Sequence, residues 1–164
     1  MANINVVGDF KKSGLTQKEL KSTVEAVFDV LDPSPSSRAE AEGFLKNKSE
    51  GKRFLHSPPS GVGRNDKIIN IAFVEAKDIQ KKNLEYRKVD KPTDVLSFDY
   101  GDEGDILLCL DVIDKYKEGD TLKDSIIKTL IHGSLHLFGY DHEKDKDHAI
   151  MEKIANKAFE RLSK

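Results

Sequence analysis

The stretch T129-LIHGSLHLFGYDHEK-D145 places three histidines within eleven residues, in a chain that has five in all. Its first half continues an apolar pattern. Leu122, Ile126, Ile127, Leu130, Ile131 and Leu135 recur at helical spacing, so residues 121–138 are expected to form a helix with its apolar face toward a core. On that helix His132 and His136 stand four residues apart, which puts their side chains on one face with Cβ atoms about 5–6 Å apart. Gly139 follows where the helix should end, and glycine takes the positive φ that lets a chain fold back. His142 can then return toward the same point as a third nitrogen. Three imidazoles would leave a tetrahedral metal ion one open position, where a zinc-bound water would have a pKa of about 7. One zinc per chain, held by His132, His136 and His142, is the expectation. Asp141 fits two roles, orienting a ligand imidazole or shaping the turn. His56 and His148 do not share that spacing and are read as loop and helix-surface residues.

The spacing His-x-x-x-His-x-x-Gly-x-x-His is shared with metzincin proteases, but those enzymes require glutamate directly after the first histidine as general base. Here that position is Gly133, which cannot take a proton. Peptide hydrolysis by that route is therefore not expected.

Working outward, residues 104–112 and 93–100 read as two strands joined by a glycine-containing turn, a hairpin. Residues 67–74 are rich in β-branched residues and read as a buried strand, followed by a helix over 75–87. "INVVG" (4–8) reads as a first strand. The helix over 15–31 opens with Thr16 and Glu19 at capping-box spacing and stops at Asp32-Pro33. A last helix is expected over about 145–162. Residues 33–66 are polar and punctuated by proline and glycine, an insertion or irregular segment. The fold class expected is α+β, a small mixed sheet of about four strands packed with helices, in one domain spanning 1–164.

Composition narrows the function classes. Hydrophobic residues make up 37% and charged residues 34%, the net charge is −2, and no apolar run approaches the ~18 residues of a membrane span. The opening residues lack the build of a signal peptide, so a cytoplasmic protein without a membrane partner is expected. The single cysteine, Cys109, excludes an intramolecular disulfide and reads as a buried small hydrophobe. Nucleic-acid binding would need a local basic face, which Lys81, Lys82, Arg87, Lys88 and Lys91 can supply.

Over "HGSLHLFGYDH" (132–142), "NLEYRKVDKPTDVLSF" (83–98) and "GDI" (104–106), the chain resembles the YbeY endoribonucleases, also described as rRNA maturation factors. The resemblance covers roughly residues 68–162. It implies a zinc-dependent hydrolase that cuts single-stranded RNA, acting on ribosomal RNA and ribosomal particles in rRNA maturation and ribosome quality control. By position it makes His132, His136 and His142 the metal ligands and Arg87 the arginine beside the active cleft, with Arg87 and His136 as catalytic residues. Arg87, Lys88 and Tyr140 are candidate substrate contacts; Tyr86 or Tyr140 could stack an unpaired base. Ser97, alternating with Leu96 and Phe98, can present its hydroxyl beside the cleft. A second reading keeps the metal mainly structural, in a ribosome-assembly or RNA-binding factor. The stretch 33–66 is longer and more polar than the family's usual link.

Overall fold

The computed structural model describes residues 3–31, 67–140 and 145–162, with side chains given for all but 145–147. Asp32, the 33–66 stretch with His56, and Asp141 and His142 lie outside the described residues. Strands β1 (Asn3–Val7), β2 (Ile68–Phe73), β3 (Val95–Asp99) and β4 (Glu103–Leu108) form one sheet in the order β1-β2-β4-β3. β1 and β4 both run parallel to β2, and β3 is antiparallel to β4, so the sheet is mixed as expected. Five α-helices occur among the described residues: α1 (Gln17–Leu31), α2 (Ala76–Arg87), α3 (Leu110–Tyr116), α4 (Leu122–Leu137) and α5 (Asp145–Leu162).

Alternation decides which side of each strand meets which helices. Ile4, Ile69, Ile71, Ile106, Leu108 and Val95 face one way and join Val24, Val27, Leu130, Ile131, Met151 and Ile154 in the main core, built with α1, α4 and α5. The opposite face carries a smaller cluster in which Leu96 packs with Ile79 of α2, Cys109 and Val112. Cys109 is fully buried there, and burial pushes its thiol pKa up, in keeping with an inert packing role.

Local chemistry sets several ends. At the start of α1 the Thr16 N–H donates to Glu19 Oε2 at 2.8 Å and the Glu19 N–H donates back to Thr16 Oγ1 at 3.2 Å, the reciprocal cap expected from the sequence. Glu19 also accepts from Lys123 Nζ at 2.6 Å, which ties this cap to the first turn of α4. The β3–β4 hairpin turns through Gly101 at φ +95. Lys67, only 4% exposed, reaches across to it, donating to Asp99 Oδ1 at 2.5 Å and to the Gly101 carbonyl at 2.8 Å.

One expectation is corrected. The strand anticipated over 104–112 ends at Leu108, and Leu110–Tyr116 is helical. Val95 opposite Leu108 is the last pair of the ladder, and the Cys109 N–H is taken by the Asp94 carbonyl at 2.9 Å. Beyond this the partner chain turns away toward Pro92, which has no N–H to give. A helix then satisfies the backbone and buries Val112 against the smaller cluster and Ile113 against the main core.

Candidate metal centre

α4 is fixed at both ends and along one side. Thr121 caps its start, accepting from the Asp124 N–H at 3.1 Å and donating to Asp124 Oδ2 at 2.7 Å. At its end the Gly139 N–H donates to the His136 carbonyl at 3.0 Å and the Tyr140 N–H to the Leu135 carbonyl at 3.1 Å, with Gly139 at φ +78. This pair of bonds is the Schellman motif, and a glycine at that position carries no Cβ penalty. The turn required after His136 is therefore present.

Along its length α4 lies flush on the β3–β4 ribbon. A Cβ at Gly133 would stand 2.9 Å from Val95 Cγ2, 3.0 Å from Ser97 Oγ and 3.1 Å from Ile106 Cγ2, so any larger residue would push helix and sheet apart. The Ser97 hydroxyl donates to the Gly133 carbonyl at 2.9 Å. At Gly104 of β4 a Cβ would come within 3.0 Å of Leu137 Cδ1, so the last turn of α4 sits equally close. Gly133 thus has a packing function that its position after His132 does not advertise. It also settles the metzincin comparison physically, since position 133 points into the sheet and a glutamate there has no space.

His132 and His136 flank this contact and are half-buried. Their Nε2 atoms lie 3.1 Å apart, with ring centroids 4.6 Å apart and ring planes at 84°. Two nitrogens each about 2.05 Å from a tetrahedral ion would be separated by roughly 3.3 Å, so the pair is already spaced as two ligands of one zinc-sized cation. Among the described residues no group of three His, Cys, Asp or Glu side chains converges for a metal, and His142 lies outside them.

The other residues singled out in the sequence fall in different places. Arg87 and Lys88 are exposed at the C-terminal end of α2, the helix on the opposite face of the sheet from α4. Lys88 adopts φ +61, and its N–H donates to the Leu84 carbonyl at 3.2 Å. The stretch beyond is tied down: Gln80 Nε2 donates to Asp90 Oδ1 and Asn83 Nδ2 to the Lys91 carbonyl, both at 2.8 Å. Thr93 Oγ1 and the Val95 N–H both donate to Asp94 Oδ1, a structural turn that leads the chain into β3. Tyr140 is half-buried against the main core, Tyr86 packs edge-on to Phe98 at 4.8 Å, and His148 is exposed on α5. Sequence reasoning missed the capping role of Thr121, signalled by Asp124 three residues on, and the packing role of Gly133. A glycine inside an apolar helix costs about 1 kcal/mol relative to alanine, and that cost was the available signal.

A helix held this rigidly can present two imidazoles to a cation without reorganising. No described helix is long and apolar enough to cross a membrane. The family model for Endoribonuclease YbeY matches residues 50–163. A protein of Sulfurihydrogenibium sp. named Endoribonuclease YbeY is 36% identical over 138 residues, covering 77% of this chain and 87% of its own length. Its namesake from Buchnera aphidicola of Acyrthosiphon pisum is 40% identical over 104 residues, covering 57% of this chain and 67% of its own. The solution structure of TM1509 from Thermotoga maritima shares the fold with a TM-score of 0.56 at 24% identity, over 99% of this chain and 89% of that one. With a family model matching residues 50–163 and two relatives of that name 36% and 40% identical, the chain belongs to the Endoribonuclease YbeY family.

Proposed function

We propose that this chain is a metal-dependent endoribonuclease that cleaves single-stranded RNA in the cytoplasm, acting on ribosomal RNA and ribosomal particles in rRNA maturation and ribosome quality control. The observation that carries the reading is the 3.1 Å approach of the His132 and His136 Nε2 atoms on a helix that cannot easily move. His142 completes the set as third ligand of one zinc ion; the turn at Gly139, three residues after His136, supports it. Such an ion supplies Lewis acidity toward a phosphoryl oxygen and a nucleophile available at neutral pH.

The chain's own groups do the rest. The Arg87 guanidinium, reaching past the edge strand β3 from the other face of the sheet, donates paired hydrogen bonds to a phosphate, with Lys88 adding a point charge beside it. Ser97 acts through α4, holding the Gly133 carbonyl between the two histidines. Asp141 orients an imidazole, and Tyr140 offers a ring to an unpaired base.

The test compares wild type with His136→Ala for bound metal and for cleavage of a single-stranded RNA. Loss of both in the variant is expected. A wild type that holds stoichiometric metal and cuts no RNA, naked or ribosomal, would overturn the nuclease reading in favour of an assembly factor with a structural metal.

A further inference from the structure

A cavity of about 480 Å³ lies between the entry to β3, α3 and the first half of α4. Val112 and Ile113, both almost fully buried, make its floor, and Tyr116, 66% exposed, stands at its rim. Ser125, Lys128 and Thr129 of α4 and Thr93 line the rest. Ser125 is 8% exposed, and its Oγ has no hydrogen-bond partner among the described residues, an unmet group of the sort that native interiors rarely leave. The cations at the rim are already neutralised, Lys128 by Asp120 at 2.6 Å and Lys117 by Asp114. The Lys115 ammonium lies 5.2 Å from the centre of the exposed Tyr116 ring, and the Asp94 and Glu118 carboxylates add negative charge to the lining. An apolar floor, hydroxyls on the wall, an exposed aromatic ring and an acidic rim suit a flat, neutral, hydrogen-bonding group better than a phosphate.

Position links this cavity to the histidines. Ser125, Thr129, His132 and His136 follow one another at four, three and four residues, one stripe along α4. Thr129 is one turn from His132, and Ser125 to His132 spans about 10 Å of helix, a length of roughly three stacked nucleotides.

We propose that the cavity between Tyr116 and Ser125 receives one nucleobase of a single-stranded RNA, from a nucleotide near the one cut. The ring of Tyr116 stacks on the base, and the Ser125 hydroxyl, turned by one rotamer step, meets its edge. The site thereby confers a base preference at one position of the substrate. This inference rests on the reading of the histidine site as an RNA-cleaving centre.

The experiment uses the metal-loaded full chain and a short single-stranded RNA in which abasic riboses are introduced one at a time around the bond cut. For wild type, one abasic position is expected to lower kcat/KM about tenfold, toward the lower end of what one stacked base contributes. Tyr116→Ala removes an exposed ring and leaves the core intact; it should lose about as much on intact RNA and nothing further at that abasic position. Ser125→Ala should narrow the preference among the four bases there. Equal abasic losses in wild type and Tyr116→Ala, or a uniform loss at every position, would overturn the proposal while leaving the nuclease intact. Should wild type cut no RNA, the proposed function fails, and the cavity is read separately from the methyl NMR signals of Val112 and Ile113 on adding the same oligonucleotide. Shifts that Tyr116→Ala weakens about tenfold in Kd support the base site; unmoved methyls at saturating RNA overturn it.

Discussion

On one face of the sheet Ile69, Ile71, Ile106 and Leu108 disappear beneath α1, α4 and α5, while on the other Asn5, Asn70 and Asp105 stand in register across three strands. The polar row satisfies itself sideways: Asn5 Nδ2 donates to Asn70 Oδ1 at 3.0 Å, and Asn70 Nδ2 donates to Asp105 Oδ1 at 2.9 Å and to Glu103 Oε1 at 2.8 Å. Beside it the Tyr100 phenol is raised in pKa by desolvation and then by the Asp105 charge. Helix α2 covers only the end of this face near Leu96 and Cys109. The contrast explains where the histidines stand. Two imidazoles that must hold a fixed separation belong on the helix with no slack beneath it, whereas the half-covered face can carry polar groups whose positions need not be kept to a fraction of an ångström.

Adjacent residues of β4 offer the sharpest test of that contrast. Ile106→Ala, on the packed face, should cost about 2–5 kcal/mol in a denaturant titration. Leu107→Ala, facing the other way and half-buried, should cost about 1–2 kcal/mol; equal losses would mean that the two faces are equally tight. Next in size is Gly133→Ala. Overpacking against Val95, Ser97 and Ile106 should cost about 1–3 kcal/mol despite alanine's better helix propensity, and metal affinity should fall with it because the histidine pair moves. An unchanged melting temperature would show that the close contact is not what seats α4.

Smaller effects are expected where α1 meets α4. Thr16→Ala should cost about 1 kcal/mol. The hydrogen bond from Lys123, followed by those from Thr16, holds the Glu19 carboxyl at about 2, down from 4.5. A depressed folded pKa stabilises above the unfolded value and ceases to do so as pH falls through the folded one. Thermal melts of wild type and Glu19→Gln should therefore differ at neutral pH and converge between about pH 4.5 and 2. Smallest is Lys88→Gly, which relieves a non-glycine residue at φ +61 and should stabilise by about 0.5 kcal/mol, net of glycine's entropy.

Much of this architecture was legible in the sequence because its signals are local. The Thr16–Glu19 cap, the span of α5, the β3–β4 hairpin and the glycine after α4 each depend on residues within a few positions of one another. What was not legible depends on partners distant in the chain. Leu110, Val112 and Ile113 fit a strand or a helix, and the ladder decides between them by running out of partners at Val95. Gly133 looks like a missing base until Ser97 and Ile106 are seen against it. Lys67 reads as the polar edge of a strand, yet its ammonium is buried under the hairpin it ties. Of the candidate site, the spacing of His132 and His136 followed from helical geometry alone, while the layer to which Arg87 belongs did not, since nothing near it in sequence tells which face α2 will cover.

The sheet order has a consequence in time. Among the described residues β1 has only β2 for a neighbour, and Asn5 meets Asn70 across 65 positions of chain. At about 5–20 residues per second, the first strand would leave the ribosome roughly 3–13 s before its partner has been made. The hairpin, α3 and α4 close over short separations and need no such wait. Substitutions in β1 should therefore speed unfolding far more than they slow folding, because that edge is sealed last.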